Sequence, residues 1–211
     1  MRKFAHLLLI AGIVAGLASA GVIDTNTGGT VVSPTAAFFG QSFTTPGGGP
    51  FDDITFNFYA DAGSTTPTAA GTAFLLSQVF LGAPADLNTS TPGFLGASTS
   101  ISAGRYIFAP SLVLQANTKY FLYENAAMVV SGGNTIPTGE GYFLFPQSQT
   151  TFAPAPFADG SGNVIPGEFQ ATNFTVTADA VVTAVPEPAT FGLLLVFGVG
   201  GIATRLRRAR G

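Results

Sequence analysis

Few side chains in this sequence can do chemistry, and nearly all of those are carboxylates. Glu124, Glu140 and Glu168 are glycosidase candidates. In such an enzyme one carboxyl protonates the leaving oxygen while a second attacks the sugar or activates water. Their spacing brings no two of them together on one element, and isolated carboxylates in a chain this poor in charge are expected to keep the surface soluble. Asp52, Asp53 and Asp61 flank one candidate strand and offer the hard oxygens that Ca²⁺ takes in extracellular modules. Asp52 and Asp53 also read as turn residues entering a strand. That reading is favoured, because no Asp-x-Asp-x-Asp-Gly loop accompanies them. Arg105-Tyr106 and Lys119-Tyr120, with Tyr123, could line a sugar-binding face, since tyrosine brings a ring to stack and a hydroxyl to bond. With no Trp in the chain, they are expected instead to be ordinary half-exposed strand residues.

What is missing narrows the chemistry further. There is no cysteine, and the only histidine, His6, precedes the central part of the chain. From residue 21 to 184 this removes Ser-His-Asp triads, Cys-His pairs and histidine metal sites together. No Gly-x-Gly-x-x-Gly or Walker loop is present, and no cofactor is expected. Arg105 and Lys119 are the only basic residues of that stretch, against Asp24, Asp52, Asp53, Asp61, Asp86, Glu124, Glu140, Asp159, Glu168 and Asp179. A nucleic-acid partner needs a basic footprint, which this stretch lacks. Asn88-Thr-Ser90 and Asn173-Phe-Thr175 match the glycosylation sequon, without further support.

Both ends of the chain carry addresses. Arg2 and Lys3 precede an apolar run over residues 7–17, and Ala18-Ser19-Ala20 supplies a small-x-small cleavage site. That order predicts a secretory signal peptide over residues 1–20, removed after Ala20. The other end reads Val-Pro186-Glu187-Pro188-Ala-Thr, then an apolar run, then Arg205, Arg207, Arg208 and Arg210. The run, about 189–204, falls a little short of the ~17–20 residues that span a bilayer. Snorkelling arginines and local thinning can accommodate a short span. Basic residues stay cytoplasmic. The predicted layout therefore has the N-terminus outside and the arginine tail inside, the arginines acting as a stop-transfer signal. Proline on each side of Glu187 keeps the peptide extended just outside the membrane.

Residues 185–211, with motif, apolar run and arginine tail in that order, resemble the PEP-CTERM sorting signal. The resemblance implies recognition by exosortase, a transpeptidase-like membrane protease. It also implies cleavage near Pro186-Glu187-Pro188 and transfer to the cell surface or extracellular matrix. Signal peptidase and exosortase are then the processing partners, the membrane is a transient anchor, and extracellular polysaccharide is a further possible partner.

The remaining residues, 21–184, suit one domain of ordinary size. They are rich in phenylalanine: the chain has 20 Phe against 5 Tyr, and only 9% of its residues are charged, against a usual share of about 25%. Strands are predicted over 36–44, 54–59, 72–81, 105–108, 119–123, 127–130, 142–145 and 173–182. Ile54, Phe56 and Phe58 alternate with Thr55, Asn57 and Tyr59, and Phe174, Val176, Ala178 and Ala180 with Thr175, Thr177 and Asp179. Period two marks half-buried strands. Turns are expected at Pro46–Pro50, Pro92-Gly93, Gly132-Gly133-Asn134, 160–163 and Pro166-Gly167, and an irregular loop over 150–159. Eight to ten short strands predict an all-β fold, an antiparallel sandwich of jelly-roll type, with a barrel as alternative. Phe56, Phe58, Phe121 and Phe174 should form its core. The expected role is a non-catalytic structural or adhesive ectodomain; the alternative is a carbohydrate-binding or carbohydrate-active module.

Overall fold

The computed structural model describes residues 20–181, except 30, 33–35, 135–139, 146–148 and 160. The segments read as signal peptide and sorting signal, including Pro186, Glu187, Pro188 and the arginine tail, lie outside the described residues. Among the described residues the chain is all-β, its single helical turn being a 3₁₀ turn at Pro84–Asp86. The strands are β1 Gly21–Asn26, β2 Val31–Val32, β3 Phe38–Thr44, β4 Phe51–Tyr59, β5 Pro67–Thr68, β6 Ala73–Leu76, β7 Phe94–Ala97, β8 Ser100–Ser102 and β9 Arg105–Ile107. They continue as β10 Lys119–Glu124, β11 Ser131–Asn134, β12 Gly141–Leu144, β13 Ala153–Pro154, β14 Pro156–Ala158, β15 Val164–Phe169, β16 Ala171–Thr172 and β17 Phe174–Ala180.

Two six-stranded sheets carry the fold, and neither closes into a barrel. The first runs β1-β17-β4-β9-β8, with β5 added to β4; the second runs β13-β12-β3-β10-β6-β7. Their pairings are antiparallel. A three-stranded sheet β16-β11-β2 and the hairpin β14-β15 complete the described strands. The two large sheets face each other across one core. Ile54, Phe56, Phe58, Tyr106, Phe174 and Val176 come from the first, and Phe39, Phe43, Leu75, Tyr120 and Leu122 from the second. Phe43 meets Phe56 at 5.9 Å between ring centroids, and Phe39 meets Phe58 at 6.4 Å, which joins the sheets. The result is sandwich-like.

The alternation in β4 and β17 is realised except at Asn57, which is buried, and Ala180, which is exposed. Ile54, Phe56, Phe58, Phe174, Val176 and Ala178 are buried, and Thr55, Thr175, Thr177 and Asp179 are half-exposed. Other elements differ from expectation. The segment 72–81 is strand only at Ala73–Leu76, and 127–130 makes a single bridge, Ala37 to Met128. Gly132 lies in a strand rather than a turn, because the backbone of Ala171 and Thr172 comes so close that a Cβ at Gly132 would collide with it. Pro166 and Gly167 also lie in a strand, on the outlying hairpin, and the supposed loop 150–159 contains β13 and β14. Phe121 is not in the inter-sheet core. Strand β10 points Tyr120, Leu122 and Glu124 inward, so Phe121 lies on the outer face, half-buried against a second aromatic cluster.

That outer cluster contains Phe74, Leu76, Leu87, Tyr123, Tyr142, Leu144 and Phe152. It covers the back of the second sheet beneath the long connection from β6 to β7. Tyr123 pairs across the ladder with Gly40, and its ring lies where a Cβ on residue 40 would be. Large-to-small substitution in a close-packed core costs about 3–5 kcal/mol for phenylalanine. Phe56→Ala should therefore lower the melting temperature of the 21–184 fragment by roughly 10 °C. Phe121→Ala should lower it by less than half as much. Differential scanning calorimetry on the two variants checks the ordering.

Candidate functional site

Strand β10 alternates about its sheet and so separates the carboxylates read as catalytic candidates. Glu124 points inward, while Lys119, Phe121 and Tyr123 point outward, where Glu140 meets Lys119 at 3.0 Å. Glu168 is exposed on β15, in the separate hairpin. Glu124 and Glu140 therefore face opposite sides of the second sheet and do not form the facing pair that glycoside hydrolysis uses. Asp52 and Asp61 are also separated, lying near the start of β4 and just beyond its end, with about 23 Å of strand between Asp52 and Tyr59 at ~3.3 Å per residue. Asp52 is paired across the ladder with Asp179 instead. Among the described residues no group of three His, Cys, Asp or Glu side chains is placed to hold a metal.

The tyrosines differ most from expectation. Tyr106, Tyr120 and Tyr123 are buried, not half-exposed, so they form no sugar-stacking face. Each hydroxyl instead accepts a backbone N–H from a connecting segment. Ala70 N–H reaches Tyr106 at 2.9 Å, Gln115 N–H reaches Tyr120 at 2.8 Å, and Phe80 N–H reaches Tyr123 at 3.0 Å. Burial raises the Tyr106 and Tyr123 hydroxyls above the usual phenol range, so they stay neutral. Loops are thus tethered to the sheets by phenol oxygens.

Glu124 is buried rather than a surface solubiliser. The ladder between β10 and β3 breaks after the Tyr123–Gly40 pair and resumes at the Ala37–Met128 bridge, with more residues on the β10 side. The break frees the Phe39 N–H, which donates to Glu124 Oε1 at 3.0 Å. Glu124 Oε2 meets the Tyr106 hydroxyl at 3.2 Å, and the same hydroxyl donates to Ala70 O at 2.7 Å. A hydroxyl has one hydrogen. With that hydrogen on Ala70 O, a proton on Glu124 Oε2 completes the network. Burial pushes the Glu124 carboxyl well up, outweighing the Phe39 and Tyr106 bonds, which pull the other way. Arg105 is exposed and Lys119 is engaged by Glu140, so neither neutralises an ionised Glu124.

On the outer face, partial desolvation pushes Glu140 up. The Tyr142 hydroxyl at 2.6 Å and the Lys119 ammonium outweigh it and hold the carboxyl below the usual range. Lys119 also lies 5.8 Å from the centroid of the Phe121 ring. This cluster is a half-exposed structural clasp, worth at most about 1 kcal/mol for the ion pair.

A concavity that suits a ligand lies at the end of the second sheet where β3 begins. It is a cavity of about 410 Å³ lined by Phe38, Leu87, Leu144, Asn125, Gln149 and Thr150, and by the 3₁₀ turn. None of its lining residues is charged. The Asn125 amide oxygen accepts Thr72 N–H at 2.8 Å, and the Gln149 amide oxygen accepts Phe145 N–H at 3.1 Å. Both amides are thereby oriented, and their NH₂ groups remain available as donors. Small-molecule sites commonly have about 300–1,000 Å³, apolar walls and a few placed polar groups. This one suits an uncharged ligand carrying hydrogen-bond acceptors. Sequence reasoning did not find it, because its residues come from five separate segments.

No family model matches the chain, and no curated protein matches it.

The Glu124 network has a pH signature. An acid whose pKa is raised on folding keeps its proton while the unfolded chain loses it, so stability falls as pH rises above the unfolded value, near 4.5. Glu124→Gln reproduces the neutral group, accepting from Phe39 N–H and donating to Tyr106. The variant should match the parent near pH 4 and melt at a progressively higher temperature than it as the pH rises to 8. Thermal melts of both across that range check the sign.

Proposed function

We propose that this chain is an exported surface protein, delivered through its C-terminal sorting segment, whose β-domain plays a non-catalytic structural or adhesive role outside the cell. The observation that carries the reading is the order of Pro186-Glu187-Pro188, apolar run and arginine tail, together with the N-terminal leader. Residues 1–20 act as a signal peptide, and the membrane anchors the precursor transiently until an exosortase cleaves near the motif. The placement of Glu124 and Glu140 on opposite faces of the second sheet supports a non-catalytic domain. The fold is of the sandwich type common in adhesive modules, and jelly-roll connectivity is part of this proposal.

Replacing Pro186-Glu187-Pro188 with alanines should leave a membrane-retained precursor in the producing cell, where the parent chain reaches the surface. Fractionation, with mass spectrometry of both mature ends, reads this out. Unchanged surface release of the variant would overturn the sorting role.

A second reading, carbohydrate binding, is favoured by one observation, the uncharged cavity with its two oriented amides. A glycan array on the 21–184 fragment should then register neutral saccharides, with or without Ca²⁺. Ala85→Trp, which places a ring in the cavity, should reduce that signal at least tenfold. A signal that the tryptophan leaves intact would place sugar binding elsewhere.

A further inference from the structure

Two asparagines carry the glycosylation sequon, and the fold treats them oppositely. Asn173 is buried just before β17, and both hydrogens of its amide are in use. Its Nδ2 donates to Gly29 O at 2.9 Å and to Ser131 Oγ at 2.6 Å. Asn88 is exposed on the connection from β6 to β7, just beyond the 3₁₀ turn. Its carbonyl accepts Thr91 N–H at 3.1 Å, which closes a turn over 88–91. Its Oδ1 accepts Ser90 N–H at 2.7 Å, which fixes the side chain in that turn. Its Nδ2 donates once, to Asp86 O at 2.7 Å. A primary amide carries two hydrogens. One on Asn88 is therefore unused, and none on Asn173 is. The Ser90 hydroxyl, the third element of the sequon, is exposed and makes no hydrogen bond among the described residues.

We propose that Asn88 is an acceptor for an N-linked glycan and that Asp86 helps a transferase select it. The donor is an oligosaccharide joined through C1 of its first sugar to a lipid pyrophosphate. Nδ2 of Asn88 attacks C1, and the C1–O bond to the pyrophosphate breaks with its electron pair. Nδ2 gives up its unused hydrogen as a proton to a carboxylate of the transferase, leaving the N-glycoside and the lipid pyrophosphate. The hydrogen that remains still has Asp86 O to bond. Thr91 Oγ1 holds the same carbonyl at 3.2 Å, so the turn survives while the amide is engaged. At Asn173 the same exchange would break a bond inside the core and put a sugar where the residue is 1% exposed. Asp86 adds selection by charge. It is exposed, it is the only charged residue from 62 to 104, and its carboxylate makes no hydrogen bond among the described residues. A basic pocket on a transferase can therefore pair with it. The sequon thereby extends to Asp86-Leu-Asn88-Thr-Ser90, the acidic form that one class of oligosaccharyltransferase requires, whereas Asn173 has Ala171 at the matching place. The proposal rests on the export reading, which brings the chain to the side of the membrane where lipid-linked oligosaccharide is consumed. The glycan would be carried at the rim of the uncharged cavity, whose wall includes Ala85 and Leu87.

Protein purified from the cells that produce it should carry the glycan on the peptide containing Asn88 and none on the peptide containing Asn173, as read by tandem mass spectrometry. An exported chain with Asn88 unmodified, or with the glycan on Asn173, would overturn the proposal. A second assay does not depend on export. The folded chain from residue 21 onward is mixed with a detergent-solubilised oligosaccharyltransferase that selects an acidic residue two places before the asparagine, and with its lipid-linked oligosaccharide. Transfer to the parent is expected, and Asn88→Gln should abolish it. Asp86→Asn should slow transfer about tenfold or more, the loss of one charged contact, with the melting temperature unchanged. No transfer to the parent, or transfer that survives Asn88→Gln, refutes the acceptor site. An undiminished rate in Asp86→Asn refutes the selecting role of that carboxylate. A chain found in the cytoplasm with residues 1–20 attached would instead refute export, and the transfer assay then decides the acceptor site by itself.

Discussion

Phe56 of β4 lies on Phe174 of β17 with ring centroids 5.4 Å apart and planes 10° from parallel, and the rest of the sandwich is arranged around that stack. Phe58 tilts against Phe56 at 4.8 Å, and Phe43 reaches Phe56 from the opposite sheet. No disulfide holds the layers. A buried phenylalanine contributes about 1.5–3 kcal/mol by burial, and an aromatic pair roughly 0.5–1.5 kcal/mol more. In a chain with so few charges, this apolar contact has to supply most of what offsets chain entropy. It also explains the residue choice: phenylalanine gives large area without a polar atom to satisfy.

Polar groups inside the domain have a different task, holding irregular backbone where ladders end. The Tyr106, Tyr120 and Tyr123 hydroxyls each take a loop amide, and Glu124 takes the Phe39 amide that the broken ladder leaves free. Gln41 does the same work elsewhere, its amide oxygen accepting both N–H and O–H of Thr172 at 2.8 Å. Asn173 likewise joins Gly29 and Ser131 to the start of β17. An unmet buried amide costs about 1–3 kcal/mol. These side chains therefore decide which loop conformations the sandwich tolerates, while the phenylalanines decide whether it forms.

What the sequence disclosed follows that division. β4 and β17 were readable because one face is buried and the other wet, which prints a period of two directly into residue type. β1 was not, since it is an edge strand whose Val22 is 61% exposed and whose Asp24 turns to accept Thr44 N–H. Gly132 read as a turn because glycine signals both loops and tight backbone approach, and only the neighbouring strand distinguishes them. Glu124 and the tyrosines read as surface residues because their partners lie elsewhere in sequence: Glu124 bonds Phe39, |i−j| of 85. The cavity was hidden for the same reason. Period and composition report a residue's own face; a site assembled from several segments leaves no local pattern.

The pairing of β4 with β17 also sets a clock. The register joins Phe56 to Val176 and Phe58 to Phe174, so the central strand of the first sheet lacks its main partner until the last strand exists. A chain emerging N-terminus first, from a ribosome or a pore, holds β1 without a partner, and β4 paired only with β5 and β9, until β17 is made. Contacts this distant in sequence make for slow closure, since loop entropy must be met before they form. The nascent domain therefore stays threadable for nearly the whole of its synthesis, then locks within its final residues.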